Sequence, residues 1–317
     1  MTTIWFRTGL LAVLIAFAGL FALTSTTRAE VVDVHLTARP ATVTVARGVK
    51  MRAWTFNGTV PGPLIRATEG DTIRVTLTNS HRGMHMKCRG RKGRSLTRCL
   101  RFNLEHQAML HSVDFHAARI APNVAFRSVA PGKSITFEFE ATTPGVYMYH
   151  CATGPMLEHL GMGMHGMIVV DPATPRPPAQ EVFLVQSEYY GTFRGGYLQS
   201  SYEAMRTGPP AYVVFNGRSY RYAEKPIAVS VGKPVRIYFL DSGPSLFSAF
   251  HVVGTIFDSF EHDGNPDEAL HNVSTQVVAP GGAGVFEVTF PEAGSYPFVS
   301  HSVIDMDRGA MGMFEAS

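Results

Sequence analysis

Three short stretches carry most of the side chains that could do chemistry: His111-Ser112-Val113-Asp114-Phe115-His116, then Tyr149-His150-Cys151, then the run from His159 to Met164. In an extended chain, successive side chains point to opposite faces. Read as a strand, the first stretch puts His111, Val113 and Phe115 on one face and Ser112, Asp114 and His116 on the other. By the same rule His150 and Cys151 point apart. Cys151 is expected inside with His111, and His150 outside with His116 and Asp114, so two sites lie back to back across one strand pair. The inner site can add His159, eight residues after Cys151, and Met164, five residues further on. One thiolate, two imidazoles and a thioether are the donors of a blue-copper electron-transfer centre. The bland alternative is a buried cysteine among unrelated His and Met residues. Zinc fits poorly, because a thioether is a poor zinc ligand.

The outer site has only two imidazoles, His116 and His150, whereas a catalytic metal typically has three protein ligands and an open position. The C-terminal half offers His301, in Ser300-His301-Ser302, and His251, in Phe250-His251-Val252. Alone, Asp114 reads as a surface carboxylate and His251 as a core histidine. Beside two ligand sets they read as proton-handling groups.

The elements that must position these residues read as strands. Thr72–Asn79 and Pro234–Leu240 alternate with period two between Gly, Pro, Asn and Asp, and no long 3.6-residue stripe follows residue 29. Helix is expected only near Pro155–His159 and Gly195–Met205. The sequence also repeats: Phe56-Asn57-Gly58 recurs as Phe215-Asn216-Gly217, and Val129-Ala130-Pro131-Gly132 as Val278-Ala279-Pro280-Gly281, each of the latter followed by an alternating strand. The fold class read from this is all-β, a pair of β-sandwiches. Residues 1–29 read as a signal peptide, with Arg7, a 15-residue apolar run from Gly9 to Leu23, and Thr27-Arg28-Ala29 before the cut. An uncleaved N-terminal anchor is the alternative. Residues 30–171 form the first domain, 172–179 a Pro-rich linker and 180–317 the second domain. A periplasmic or secreted protein with no stable membrane span after cleavage is expected.

Charge is uneven. Residues 81–101 hold eight of the chain's 28 Lys and Arg and no acid, while the whole chain has 25 Asp and Glu. The remainder is therefore acidic on balance, and nucleic acid is not an expected partner. Cys88 and Cys99 lie in this segment and could form a disulfide, which leaves Cys151 over.

The stretches 56–64 (FNGTVPGPL), 111–118 (HSVDFHAA), 144–152 (PGVYMYHCA), 159–166, 250–258 (FHVVGTIFD) and 297–312 together resemble the copper-containing nitrite reductases. The resemblance implies two tandem cupredoxin-like Greek-key domains and two coppers per chain. His111, Cys151, His159 and Met164 resemble the type 1 ligands; His116, His150 and His301 the type 2 ligands; Asp114 and His251 the catalytic pair. It also implies a homotrimer in which His301 comes from a neighbouring subunit, nitrite as substrate, denitrification as setting, and a cytochrome c or cupredoxin as electron donor.

Three departures stand out. Residues 119–127 replace a Gly-rich loop, Val253 stands where the family often has Ile, and a basic insert occupies 81–105. The insert reads as a solvated, disulfide-pinned hairpin or as a docking patch for an acidic electron donor. Two other functions fit less well. A laccase-like two-domain oxidase of the multicopper type needs several His-x-His pairs for dioxygen, and the chain has none. A non-catalytic cupredoxin carrier would leave the outer site without a purpose.

Overall fold

A computed structural model describes residues 29–83, 87–105 and 107–317; the expected signal peptide lies almost wholly outside them. Two β-sandwiches follow one another. In the first, one sheet runs in the order Gly191–Arg194, Tyr197–Ser200, Val49–Phe56, Val31–Ala46, Thr72–Asn79, Ser134–Glu140. The facing sheet runs Ile65–Thr68, His165–Asp171, Gly145–His150, Asp114–Phe115. The alternation of Thr72–Asn79 is visible as burial: Ile73, Val75 and Leu77 are fully buried between the sheets. Phe115, Tyr149, Ile168 and Cys151 fill the same core from the other side.

The second sandwich repeats the plan. Pro234–Asp241 is central to one sheet and Gly294–Ser300 to the other, around a core rich in phenylalanine that includes Phe239, Phe250, Phe286 and Phe298. The repeated Phe-Asn-Gly turns are equivalent in detail. Asn57 and Asn216 both adopt positive φ (58° and 49°). Their side-chain oxygens accept from the backbone N–H of Thr37 and Val185. Asn tolerates this conformation better than most residues. The halves pack through Val146, Met148, Met167 and Val169 against Val185, Tyr238, Leu240 and Val285.

Helix is more abundant than expected. Met156–Gly161 lies close to the expected turn, but Gly195–Gly196 is a turn between strands and the helix begins only at Tyr202, ending at Thr207. The insert is no hairpin. It carries the helix Gly93–Glu105, and Cys88 and Cys99 are bonded (S–S 1.99 Å). Its short apolar side, Leu96 and Cys99, is the more buried one, while Arg82, Lys87, Arg89, Arg91, Lys92, Arg94 and Arg98 are exposed. The run of cations hid this amphipathic pattern. Among the described residues, no helix is long and apolar enough to cross a membrane.

Candidate metal centres

His150 ends the strand Gly145–His150, and Cys151 is the next residue. The pleat sends their side chains apart, and each meets a different group. On the inner side, Cys151 Sγ lies 3.1 Å from His159 Nδ1 and 3.9 Å from His111 Nδ1, and the two imidazole nitrogens are 3.3 Å apart. All three residues, and Met164, are 0% exposed. His159 sits on the helix Met156–Gly161. Gly161 packs close to the flexible end of Met205, whose Sδ would lie 2.7 Å from a Cβ there. Gly163 takes φ +108°, and a Cβ on it would meet Val60 at 2.6 Å; only glycine lets the chain turn there before Met164. The Cys151 N–H donates to the Met164 carbonyl, and the Met164 N–H to the His159 carbonyl. The loop is thus closed by its own backbone, with Met164 in the same core cluster as Cys151.

Electrostatics set these groups apart from solvent-exposed ones. Burial first, then His159 and His81, pulls His111 down to about 3; burial and His81 pull His159 down to about 4. Burial pushes the Cys151 thiol up, partly opposed by the N–H groups of Ser112 and Thr153. The imidazoles are therefore neutral. The facing nitrogens of His111 and His159 and the Cys151 sulfur converge within 3.9 Å of one another, a soft donor set for a metal ion.

On the outer side, His150 Nε2 is 3.1 Å from His116 Nε2 and 3.9 Å from Asp114 Oδ2. The His150 Nδ1–H donates to the Cys151 carbonyl (3.1 Å), which leaves the Nε2 lone pair aimed at His116, the tautomer a ligand needs. Asp114, His116 and His150 form the second donor group; His301 of the same chain is not within it. His301 instead lies beside His251, with ring centroids 5.6 Å apart, on the second sandwich. The His251 Nδ1–H donates to the Ser274 carbonyl at 2.5 Å.

Two details differ from strand alternation. Only Asp114–Phe115 is strand; His111 is tied by a single bridge to Val129. Ser112 does not face outward with Asp114 and His116. It is buried, and its hydroxyl accepts from the Ala152 N–H and the Thr153 hydroxyl. Satisfying those donors at the turn after Cys151 outweighs the local alternation.

Spacing gave no hint of His81. It is 3% exposed, its Nδ1 lies 2.9 Å from His111 Nε2, and the two rings stack at 13°. With His111 Nδ1 facing the donor group, His111 Nε2 carries the proton and donates it to His81. Asn79 holds His81 in place by accepting from its N–H, and Asn79 Nδ2 donates to the carbonyls of Met109 and Val129. Trp54 covers all three rings edge-on, with centroids 5.0–5.9 Å from those of His81, His111 and His159.

The multicopper oxidase family profile matches residues 37–95 and 122–174. The copper-containing nitrite reductase of Neisseria meningitidis serogroup B is 34% identical over 281 residues, covering 86% of this chain and 66% of that protein. The enzyme of that name from Pseudomonas chlororaphis is 30% identical over 296 residues, covering 85% and 74%. The chain thus spans just under two thirds of the neisserial relatives' length. The solved copper nitrite reductase from Nitrosomonas europaea superposes with a TM-score of 0.76 at 32% identity, over 90% of this chain and 94% of that one. A shared cupredoxin-type architecture, together with these identities along nearly the whole described chain, places the protein in the copper-containing nitrite reductase family.

Proposed function

We propose that the protein reduces nitrite to nitric oxide. In this reading a type 1 copper is held by His111, Cys151, His159 and Met164, and a type 2 copper by His116, His150 and His301 of the partner subunit. The observation that carries the reading is the divergence of His150 and Cys151 to two separate donor groups. Nitrite, one electron and two protons give nitric oxide and water. The metals would supply the redox couple and, at the outer position, a Lewis acid for nitrite oxygen.

The chain's own residues do the rest. The His150–Cys151 peptide is a short covalent link between the two donor groups. The backbone bonds of the 151–164 loop keep the inner donors in a fixed array. Asp114, beside His150, holds a proton near the oxygen that leaves. His251 keeps its Nε2 edge clear of the Ser274 bond and serves as the second proton source or relay. One copy presents Asp114, His116 and His150, and the other presents His251 and His301. This split supports a shared site and a homotrimer. The protein would work in the periplasm or as a secreted enzyme, fed by a small electron-donor protein.

The test is anaerobic nitrite turnover with an artificial reductant on copper-loaded protein, following nitric oxide and copper content. Nitric oxide with two coppers per chain is the expected outcome. Dioxygen consumption with four coppers would indicate an oxidase, and one copper without turnover a carrier. Sedimentation of a monomer with an intact outer copper would refute the shared site.

A further inference from the structure

We infer that the basic insert recruits an acidic one-electron carrier protein to the cover over the inner centre. This rests on the redox reading above.

No inner donor reaches solvent: His111, Cys151, His159 and Met164 are all 0% exposed. A protein donor must therefore sit on what covers them. The cover is Trp54, half-buried and 5.0 Å from the His159 ring, and His81, hydrogen-bonded to His111. The insert is rooted in that cover. It departs at His81, and the Met109 N–H returns to the His81 carbonyl. The segment that carries the helix Gly93–Glu105 and the Cys88–Cys99 disulfide is therefore tied at both ends to the residue that shields His111.

The seven exposed cations from Arg82 to Arg98 form no ion pair among the described residues. A purely structural insert does not need them. Arg94 and Arg98 stand four apart on the helix, a like-charge pair that weakens it. The rest of the sequence carries more acid than base, so the positive field is local. A local field beside a redox centre steers oppositely charged partners to it. In each productive encounter the carrier is oxidised by one electron and the copper bound to Cys151 is reduced by one. No bond forms or breaks, and no proton moves.

The probe is a reduced, strongly acidic plant-type [2Fe–2S] ferredoxin, mixed anaerobically with the copper-loaded protein. Bleaching of the visible thiolate-to-copper band reports reduction without any turnover. The bimolecular rate should be high at low salt and fall steeply as salt rises. Reversing Arg89, Lys92, Arg94 and Arg98 to Glu should lower it about 10- to 1,000-fold at low salt, while reduction by ascorbate stays unchanged. Oxidised ferredoxin should bind the parent more tightly than this variant whether or not copper is present. Equal rates for parent and variant, or a rate indifferent to salt, would overturn the proposal. So would insert-dependent binding to anionic lipid vesicles with none to ferredoxin. Nitrite turnover with ascorbate and a dye mediator, measured on the same samples, separates the two readings. It persists if only the docking idea fails and is absent if the reductase reading fails.

Discussion

The inner centre of the first sandwich has a counterpart in the second, built on the same backbone bonds with different side chains. The Cys151 N–H donates to the Met164 carbonyl at 3.0 Å; the Ser300 N–H donates to the Ala310 carbonyl at 3.1 Å. The Met164 N–H returns to His159 and the Ala310 N–H to Asp305. The Ser112 N–H points at Cys151 Sγ (3.4 Å), and the Ala249 N–H at Ser300 Oγ (3.3 Å). His111, Cys151, His159 and Met164 thus become Ser248, Ser300, Asp305 and Ala310. A soft donor set becomes a set of hydroxyls, a carboxylate and a methyl, with Ser248 donating to the Gln186 side chain. The fold supplies the cradle, and the donors alone decide whether a soft metal can be held.

The comparison extends to the outer site. Asp114 pairs in register with His150, and His251 with Val299. The two residues proposed to handle protons therefore hold equivalent places in the two halves. The insert stands out in the same way. Asn79 accepts from the His81 N–H as Asp241 accepts from the Gly243 N–H. From there the chain needs five positions to reach Ser248 but 30 to reach His111.

The sharpest way to break this contrast is Cys151→Ser, which gives the first cradle the residue of the second. The intense visible band should vanish and copper fall from two to one per chain; persistent colour would show that the sulfur is not a ligand. Next, His301→Ala should remove the outer copper and nearly all nitrite turnover while the colour stays. Full metal content by elemental analysis would rule that residue out. Asp114→Asn, at the place where the second half has His251, should cut turnover about 100-fold with both coppers retained. Unchanged steady-state rates would clear it of a proton role. The smallest effect is expected at His81, which the second cradle replaces with Gly243. His81→Phe should weaken copper retention at the inner site about 10-fold and shift its reduction potential. His81→Gln, which keeps an acceptor for His111, should restore most of both. Voltammetry showing one potential for all three proteins would remove His81 from the metal's surroundings.

Side-chain parity makes the two-site layout legible in the sequence, because it needs only that residues 150 and 151 continue a strand. The sandwich pair was legible through Thr72–Asn79 and the repeated turns, since period-two burial is strictly local. His81 was not. Its partner lies 30 positions away across an insert, and the Asn79 bonds and the Met109 N–H to His81 carbonyl bond help bring them together. The helix in that insert was hidden by its charge, because seven exposed cations obscure a short apolar side. Ser112 was misplaced because two nearby donors drew its hydroxyl inward.

The hairpin Gly191–Ser200 belongs by sequence to the second half yet hydrogen-bonds to Val49–Phe56 of the first, with Tyr197 and Leu198 in register with Lys50 and Met51. Severing the chain in its proline-rich stretch would strip that edge and leave a row of bare amides and carbonyls. Such an edge recruits other chains. The N-terminal portion expressed by itself should therefore self-associate or precipitate, and co-expressing the remainder should rescue it.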